Sequence, residues 1–599
     1  MKKRAFKNGS NIFEQAVSSA DRFSRDEDGG VFTIFVALGF LLIFATAGIG
    51  VDIMNFERDR ASLQGALDRA VLAAANVKQE LPPKDVVLSY IEKSNVRGEL
   101  TGEPIVEDEP DIGQRKVTAH AAVDVKTHFM YFFGYPTLKA SVTSVAEEAI
   151  GSVEISLVLD ISGSMGQDSA TKVTMEDGSE RTLTKLEALQ DAATQFVTTM
   201  YEKENPDKIS ISIIPYNNQV NAGPNILDNM PGVTTEHNYS HCVDFSDTAT
   251  DNDFEEYWID PAESLNRAAH FDLWSRGDDY RSEARTNQVC TTRAGSSITP
   301  VTNVISDLHD QIAAMTHGGN TSIDIGVKWG AALLDPQFQP VINSLTRQDA
   351  NPGVSTKKVV PTTFDNRPLE YESNVKKVLV VMTDGQNTEN WVLDDEYRSG
   401  LSDVWYNPNY EYTGRVYWRD SRGRSRSSNR TWRGEYSVRI SEDPPVYHWT
   451  RHNQQNSSYA DTNDNSVPFG GEADDQSVRL TYPELWNRVN LDWNAAYNYS
   501  WQDNHDNTWH WNAFTEISRT TKDTRLQEIC GAVKGKNVDI YGIAFEAPTN
   551  GVTAINNCSS GEGFFFEVND GGSLGTDNLS LAQVFQTIAA SIKQLRLTQ

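Results

Sequence analysis

Residues 153–166, VEISLVLDISGSMG, form a continuous apolar run that ends in Asp160 and passes into two serines separated by one glycine. Such a run is typical of a strand that is buried on both faces. Alternate residues after the strand turn back toward the same point, so the carboxylate of Asp160 and the hydroxyls of Ser162 and Ser164 are expected to converge. An oxygen-only ligand set with few charges suits Mg²⁺ or Mn²⁺.

Two further segments carry polar residues in comparable places. Residues 317–330, HGGNTSIDIGVKWG, place Thr321 in a glycine-rich turn that opens a helix. Residues 376–387, KKVLVVMTDGQN, are a second buried-strand run, which ends in Asp384 before Gly385. Open α/β sheets bind ligands at the carboxyl ends of their strands. Asp384 therefore ends a strand as Asp160 does, and Thr321 lies in a loop between the two strands.

This order of residues resembles the metal-ion-dependent adhesion site of von Willebrand factor type A domains. The resemblance implies that five residues hold Mg²⁺ (or Mn²⁺), directly or through water: Asp160, Ser162, Ser164, Thr321 and Asp384. It also implies a doubly wound, Rossmann-like α/β domain over residues 149–599. One metal position would stay open for a carboxylate that a partner protein supplies.

The segments around these anchors alternate between helical and strand patterns, which predicts a mostly parallel sheet covered on both faces and an α/β fold class. Apolar periodicity predicts helices over 185–204, 301–315, 323–334, 526–537 and 580–597, and strands over 208–216, 538–546 and 564–568.

Long insertions are expected to interrupt this domain at about 217–299, 335–374 and 386–520. The last contains ten of the thirteen tryptophans, and it follows Asp384 directly, so it is expected to emerge at the metal edge of the sheet. Aromatic rings among polar residues suit the recognition of a protein or a glycan. They equally suit the small core of an insertion with few aliphatic residues, and this second interpretation is favoured for most of the rings.

The N-terminal region contains one uncharged stretch, VFTIFVALGFLLIFATAGIGV, at residues 31–51. As a helix it is long enough to cross a hydrocarbon core of about 30 Å. A cleaved signal peptide is the competing interpretation, but the run is long for one and is followed at once by Asp52 and a helical pattern. Basic residues in segment 1–30 indicate that this segment stays in the cytoplasm. The bulk of the chain is then outside it.

The segment 52–148 is predicted to be a stem helix followed by a β-rich region. The helix has an apolar stripe, Leu63, Leu67, Ala70, Val71 and Ala74, and Pro82-Pro83 is expected to end it. Alternation over 115–148 predicts the strands of a small sheet that rests on the stem. The acidic run 103–113 is expected to be the loop before that sheet.

Residues 22–76, with the β-rich stretch to about 148, resemble the N-terminal part of the TadE/TadG-like family of tight-adherence (Flp) pilus-assembly proteins. The resemblance lies in Arg25–Gly29, in the apolar span and in the tail Leu63-Gln64 to Ala70. It implies a single-pass inner-membrane protein of a Gram-negative envelope, with its bulk in the periplasm. Its partners would be pilus or envelope components.

The chain has four cysteines, and none of them forms a CxxC pair, which argues against a structural zinc site. Four cysteines allow three pairings. Their order along the chain favours Cys242–Cys290 and Cys530–Cys558, and buried free thiols are the alternative for a cytosolic chain.

Composition excludes some classes of function. With 53 Lys+Arg against 83 Asp+Glu the net charge is −30, which disfavours nucleic acid as a partner. The sequence contains no Gly-x-Ser-x-Gly elbow, P-loop or HExxH motif, so an enzyme is not expected and a metal-dependent enzyme is a minor alternative. The main alternative is a cell-surface adhesin that binds host or matrix through the metal site and the Trp-rich insertion.

A weaker calcium-loop pattern lies within that insertion. Asp461, Asn463, Asn465 and Glu472 occupy positions 1, 3, 5 and 12 of the pattern, but Ser466 replaces the glycine expected at position 6. Calcium is therefore a weak prediction there.

Overall fold

The computed structural model describes residues 30–76, 81–109, 114–149, 151–174, 179–202, 204–248, 251–273, 285–354, 356–371, 374–419, 422–451, 465–471, 476–569 and 579–598. The chain divides into two compact units, Met1–Ile150 and Gly151–Gln599. This division lies close to the boundary expected at residue 148 from the sequence.

The first unit combines two helices with an antiparallel sheet. Its elements are α1 (Gly30–Ala75), α2 (Pro83–Lys93), β1 (Glu99–Leu100), β2 (Ile105–Glu109), β3 (Gln114–Lys126) and β4 (Thr137–Ala149). Strand β3 pairs with each of the other three strands. The apolar stripe that includes Leu63 and Leu67 is fully buried against this sheet. The predicted packing of stem on sheet is therefore confirmed.

Two predictions about this unit are wrong. Helix α1 ends at Ala75, and Pro83 begins α2 instead of ending the first helix. Proline is well placed in a first helical turn, where its missing N–H has no helical partner to lose. The acidic run 103–113, expected to be a loop, contributes strand β2, because Ile105 and Val106 pair with Thr118 and Val117 of β3.

The second unit is larger, and its strands and helices alternate along much of the chain. Its strands are β5 (Ser152–Asp160), β6 (Asp168–Thr174), β7 (Glu180–Thr184), β8 (Ile209–Tyr216), β9 (Val243–Asp244), β10 (Asp247–Thr248), β11 (Asp251–Asn252), β12 (Asn266–Arg267), β13 (Thr299–Thr302), β14 (Val375–Thr383), β15 (Asn390–Leu393), β16 (Leu401–Arg419), β17 (Ser425–Glu442), β18 (Pro445–Trp449), β19 (Val478–Thr481), β20 (Phe514–Ile517), β21 (Asp539–Phe545) and β22 (Phe565–Val568). Its helices are α3 (Lys185–Tyr201), α4 (Gly223–Leu227), α5 (Ile305–Ala314), α6 (Ile323–Ala332), α7 (Gln339–Leu345), α8 (Tyr482–Trp486), α9 (Leu491–Trp493), α10 (Arg519–Lys534), α11 (Thr549–Cys558) and α12 (Leu581–Thr598).

A six-stranded sheet with the order β13-β8-β5-β14-β21-β22 lies at the centre of this unit. Five strands are parallel, and β13 is antiparallel to β8 at one edge. Side chains of a strand alternate between its two faces. Val158 accordingly packs on the face covered by α6, α7, α10 and α11, whereas Leu157 and Leu159 pack on the face covered by α3, α5 and α12. The mixed α/β class is confirmed.

Two boundaries within this unit differ from the sequence predictions. The helix expected over 301–315 begins at Ile305, because the β-branched residues of Thr299–Thr302 form the edge strand β13. The segment 335–374, expected to be an insertion, contributes α7, whose Val341 and Ile342 are fully buried in the core beside the sheet. Much of this segment therefore completes one face of the domain.

The Trp-rich insertion folds around its own aromatic core. Strands β16–β19 form a sheet with the order β18-β17-β16-β19, and β15 pairs with β20. Tyr436, Trp486 and Trp493 are almost completely buried there, together with Phe271 of the first insertion. Interpretation of the rings as a core is therefore confirmed for these residues. Trp511 remains 53% exposed.

Both favoured disulfide pairings are confirmed. Cys242 is bonded to Cys290 within the first insertion, and Cys530 of α10 is bonded to Cys558 of α11. Reducing conditions would remove two cross-links from the second unit, so these bonds suit an oxidising compartment.

A matched pair of glycine substitutions tests how closely α6 lies against the sheet. A β-carbon added at Gly330 would lie 2.5 Å from Val158 Cγ2 and 2.7 Å from Leu379 Cδ1. We expect Gly330→Ala to lower the free energy of unfolding by about 1–3 kcal/mol through overpacking. At Gly531 of α10 nothing lies within 4 Å, so Gly531→Ala should raise it by about 0.5–1 kcal/mol. Chemical denaturation compares the free energies of unfolding of the two variants. Equal changes would contradict the close contact of α6 with the sheet.

Candidate metal centre

The two candidate carboxylates lie at the ends of neighbouring parallel strands. Strands β5 and β14 are paired in a register that places Leu159 opposite Met382. Asp160 therefore ends one strand beside the end of the other, and Asp384 follows Thr383 directly. Both aspartates are buried, with 0% and 2% of their surface exposed. The sheet thus brings two acidic groups together at its carboxyl edge.

The serine hydroxyls connect these two carboxylates. Ser164 Oγ donates a 2.7 Å hydrogen bond to Asp384 Oδ1, and it lies 3.1 Å from Ser162 Oγ. The backbone N–H of Ser162 donates to Asp160 Oδ1 at 2.7 Å. This last bond fixes the turn after β5, so that both hydroxyls stay on the side of the carboxylates.

Thr321 completes the group from a different part of the chain. A β-carbon added at Gly385 would lie 3.7 Å from Thr321 Oγ1 and 3.7 Å from Ser164 Oγ, so both hydroxyls flank Gly385. The loop before Thr321 is joined to the serine turn, because Gly163 N–H donates to the carbonyl of Gly319 at 2.9 Å. Gly319 has a φ of 86°, a left-handed conformation that favours glycine.

The five residues that the sequence singles out therefore lie together, and their donor set fits a small divalent cation. It comprises two carboxylates and three hydroxyls, which are hard oxygen ligands of the kind that Mg²⁺ and Mn²⁺ prefer. Burial first, and then the nearby charge of Asp384, raise the pKa of Asp160 to about 7. A divalent cation would relieve the repulsion between the two carboxylates.

The structure adds a lysine that the sequence did not indicate. Lys185 Nζ lies 3.1 Å from Asp384 Oδ2, and it donates a 3.3 Å hydrogen bond to the carbonyl of Glu546. Lys185 is the first residue of α3, which begins there because Thr184 and Glu187 form a capping box. The capping pattern was visible in the sequence, but nothing local showed that the lysine faces the site.

Two residues hold the Asp160 carboxylate from behind. Thr383 Oγ1 donates to Asp160 Oδ2 at 2.7 Å, and Tyr216 Oη lies 3.5 Å from the same oxygen. Tyr216 also donates to the carbonyl of Met382 at 3.1 Å. These bonds occupy one carboxylate oxygen with protein donors and fix the orientation of the group, so the other oxygen faces the serine turn.

A second buried lysine fixes the loop that carries Thr321. Lys522 Nζ donates to the carbonyl of Thr321 at 2.8 Å, to Ser322 Oγ at 2.6 Å and to the carbonyl of Thr388 at 2.7 Å. Burial lowers the pKa of Lys522 to about 8, although the nearby Asp324 opposes that effect. Lys522 lies far along the chain from Thr321, so sequence spacing gave no signal for it.

The beginning of the Trp-rich insertion is bonded to the same loop. Thr321 N–H donates to Thr388 Oγ1 at 2.9 Å, and Thr388 N–H donates back to the carbonyl of Thr321 at 3.1 Å. Asn387 Oδ1 accepts the N–H of Ile323 at 2.8 Å, at the start of α6. The insertion therefore emerges beside the candidate metal ligands.

The weaker calcium prediction falls mostly outside the described residues. Asp461, Asn463 and Glu472 lie there, and of the four candidate ligands only Asn465 is described. Within the described part of the chain, no group of three or more His, Cys, Asp or Glu side chains forms a further candidate metal site.

Comparisons with known proteins give one match to part of the chain. A family model described as Flp pilus-assembly TadE/G-like matches residues 30–77, which confirms the N-terminal resemblance over that segment. One helix in the described residues, Phe32–Ala75, is long and apolar enough to cross a membrane. No curated protein matches the sequence.

Several solved structures are distantly similar. They include the pilus adhesin SpaC from Lactobacillus rhamnosus GG in its open conformation, at 9% identity and a TM-score of 0.24, with 84% of this chain and 34% of that chain covered. The vWF domain of the type V pili tip protein Mfa5 from Porphyromonas gingivalis has 10% identity and a TM-score of 0.26, with 74% of this chain and 96% of that chain covered. The adhesive tip pilin GBS104 from Group B Streptococcus agalactiae has 10% identity and a TM-score of 0.25, with 74% of this chain and 100% of that chain covered. This chain spans about a third of the length of the SpaC chain. Likenesses this distant do not assign a domain family.

Removal of the Lys522 ammonium tests its role in holding the Thr321 loop. Lys522→Met removes one donor from two carbonyls and a buried hydroxyl and leaves the buried Asp324 without a nearby ammonium, so we expect the free energy of unfolding to fall by about 2–4 kcal/mol. Lys534 of the same helix donates to the carbonyl of Asn557 at an exposed position. Lys534→Met should cost less than about 1 kcal/mol. Denaturant titrations of both variants measure the two free energies of unfolding. A similar loss of stability in both would argue against a special role for Lys522.

Proposed function

We propose that this chain is a membrane-anchored envelope protein of tight-adherence pilus assembly, and that it binds a partner protein through a divalent cation. The family match over residues 30–77 supports the pilus assignment. The convergence of five oxygen-bearing side chains at the carboxyl edge of the central sheet carries the binding function. The two assignments rest on different parts of the chain.

The second unit is, in this proposal, a von Willebrand factor type A domain of the doubly wound, Rossmann-like kind. Three observations support it: a mostly parallel six-stranded sheet, helices on both of its faces, and the polar cluster at the ends of β5 and β14. Open α/β sheets bind their ligands at this edge.

The side chains of the proposed site have different roles. Asp160 and Asp384 supply negative charge, while Ser162, Ser164 and Thr321 supply neutral oxygens, directly or through water. Thr383 and Tyr216 hold Asp160 in place. Mg²⁺ (or Mn²⁺) bound there would offer a positive position to a carboxylate of the partner protein. Binding of this kind needs no bond to be made or broken, so the proposed role is not enzymatic.

The proposed location follows from the N-terminal helix. The uncharged part of α1 would span the inner membrane once, with segment 1–30 in the cytoplasm and the bulk of the chain in the periplasm. The two disulfides support an oxidising compartment. Pilus or envelope components would be the partners.

Burial of the aromatic insertion bears on the adhesin alternative. The rings of Trp405, Trp486 and Trp493 are at most 4% exposed, so they stabilise the insertion and are not available to a ligand. Among the alternatives, a surface adhesin would have to use the metal site or exposed rings such as Trp511. No observation favours it over the periplasmic role.

Thermal unfolding with and without Mg²⁺ tests the metal site. We expect Mg²⁺ to stabilise the wild-type protein, by about 2.7 kcal/mol when its concentration is a hundredfold above Kd. Asp160→Asn should abolish that stabilisation. Its unfolding midpoint without metal should be unchanged or higher, because one of two buried like charges has been removed.

The control for this experiment is Asp168→Asn, which neutralises an exposed carboxylate at the start of β6. It should respond to Mg²⁺ as the wild type does. A wild-type protein that Mg²⁺ and Mn²⁺ leave unchanged, or an Asp160→Asn protein that retains the full response, would exclude the proposed ligand set.

Partner capture tests the function itself. Crosslinking in intact cells, followed by mass spectrometry, should recover pilus-assembly proteins with the wild type and with Asp168→Asn. We expect their recovery to fall at least about tenfold with Asp160→Asn, since about 1.4 kcal/mol of lost binding already gives that factor. If the wild type and both variants capture the same partners, partner binding does not depend on the metal site. If the wild type captures no pilus proteins, the pilus assignment is overturned.

A further inference from the structure

The first unit exposes a compact set of large aromatic side chains on one turn. Residues 129–135, FMYFFGY, join β3 to β4, and we call them the aromatic turn. Four of its rings are more than half exposed: Tyr131 61%, Phe132 82%, Phe133 58% and Tyr135 59%. Scattered exposed apolar residues are common on soluble proteins, but a contiguous patch of this kind marks an interaction surface.

The aromatic turn is fixed to one point on α1. Asp52 accepts hydrogen bonds from three successive backbone N–H groups, those of His128 at 2.8 Å, Phe129 at 2.7 Å and Met130 at 2.7 Å. Asp52 is only 1% exposed, so these bonds are shielded from solvent. The turn is therefore held to the helix by a buried carboxylate, and its position along α1 is defined.

That point is the end of the apolar stretch. Asp52 is the first charged residue after residues 31–51. The ring of Phe129 also packs on Gly48, one turn earlier on α1, where it leaves no room for a β-carbon. The helix rises about 1.5 Å per residue, so Phe129 reaches about 6 Å back along the apolar stretch.

The apolar stretch itself has little protein cover within the first unit. Only 6% of its most apolar window is buried, and Phe40 and Phe44 are 61% and 71% exposed. Asp52 and Gly48 fix the aromatic turn at the end of this stretch, so the apolar surface of the helix and the exposed rings of the turn are neighbours. Lys126 and Lys139 are exposed near the strand ends that flank the turn.

We propose that the aromatic turn inserts into the interfacial layer of the membrane that α1 spans, as a second contact beside the helix. Tyrosine and other amphipathic aromatic side chains concentrate at that layer, with lysines at the level of the headgroups. Continuity with the apolar stretch selects lipid as the occupant, over an apolar protein surface or a second copy of the chain. The inference rests on the membrane anchoring proposed above.

The contact would do more than add apolar area. Three hydrogen bonds to Asp52 and the packing on Gly48 join the turn rigidly to the helix. A single helix can tilt and rotate about its own axis in a bilayer. Aromatic side chains inserted to one side of α1 would restrict both motions, so the first unit would stand in a defined orientation on the membrane.

Fluorescence quenching in vesicles tests this contact with the full chain. The four native cysteines are bonded in disulfides, so an introduced cysteine is the one free thiol for an environment-sensitive dye. We would label Phe132→Cys, Phe40→Cys within the apolar stretch, and Val145→Cys as the control. Val145 is 54% exposed on β4, eight residues beyond Thr137, which is roughly 26 Å along the strand.

Vesicles of phosphatidylcholine and phosphatidylglycerol would carry nitroxide quenchers at a shallow or a deep position of the acyl chain. The dye at Phe40 should be quenched by the deep nitroxide. We expect the dye at Phe132 to be quenched several-fold more by the shallow nitroxide than by the deep one, and the dye at Val145 to respond to neither.

The outcomes separate this inference from the proposed function. Quenching at Phe40 together with a Phe132 signal equal to that of Val145 overturns the membrane contact of the turn and leaves the anchor intact. A blue-shifted but unquenched dye at Phe132 also overturns it, because a protein surface would then cover the turn. Absence of quenching at Phe40 overturns the anchoring itself, and the inference falls with it.

Discussion

The candidate site depends on two buried carboxylates that end adjacent parallel strands. The register of β5 against β14 leaves Asp160 and Asp384 side by side at the edge of the sheet. Burial, and then the nearby charge of Asp384, raise the pKa of Asp160, because both the loss of water and a second negative charge disfavour an ionised carboxylate. The fold keeps both groups there, so some positive charge has to balance them. The ammonium of Lys185 supplies one such charge, and in the proposed function a divalent cation would supply another.

Lys185 gives the site a counter-ion of its own. Its ammonium lies beside Asp384 Oδ2, whereas the hydroxyls of Thr383 and Tyr216 lie at Asp160 Oδ2. The cluster can therefore remain folded without a metal, which is why replacement of Asp160 by asparagine is a test of binding and not merely of folding. A divalent cation bound at Asp384 would share the carboxylate with this ammonium or displace it. The affinity of the site for metal should then be lower than a cluster of two free carboxylates would give.

The sequence was sufficient for five of the six strands of the central sheet, and with the resemblance to a known site it was sufficient for the grouping of the five candidate ligands, because both rest on local patterns. The strand-like run before Asp160, the run before Asp384 and the glycine-rich turn at Thr321 each carry their own signal. Local patterns failed where a distant partner decides the structure. The acidic run around Ile105 forms a strand because its backbone pairs with β3. In the same way, Thr299–Thr302 forms an edge strand because it pairs with β8. Lys185 and Lys522 were missed for the same reason, since their roles are set by neighbours far along the chain.

Both long insertions begin with residues that hold the Thr321 loop. At the start of the first, Asn217 Nδ2 donates to the carbonyl of Gly318 at 2.8 Å, and Asn218 Oδ1 accepts the N–H of Asn320 at 2.7 Å. At the start of the second, Thr388 exchanges two hydrogen bonds with Thr321. The two insertions also share one aromatic core, so they form a single body that is bonded to the candidate metal edge at several points. In the proposed function, a partner that pulled on a metal at Thr321 would load this body as well as the sheet. The buried tryptophans would then keep the insertion rigid, and with it the loop that carries Thr321.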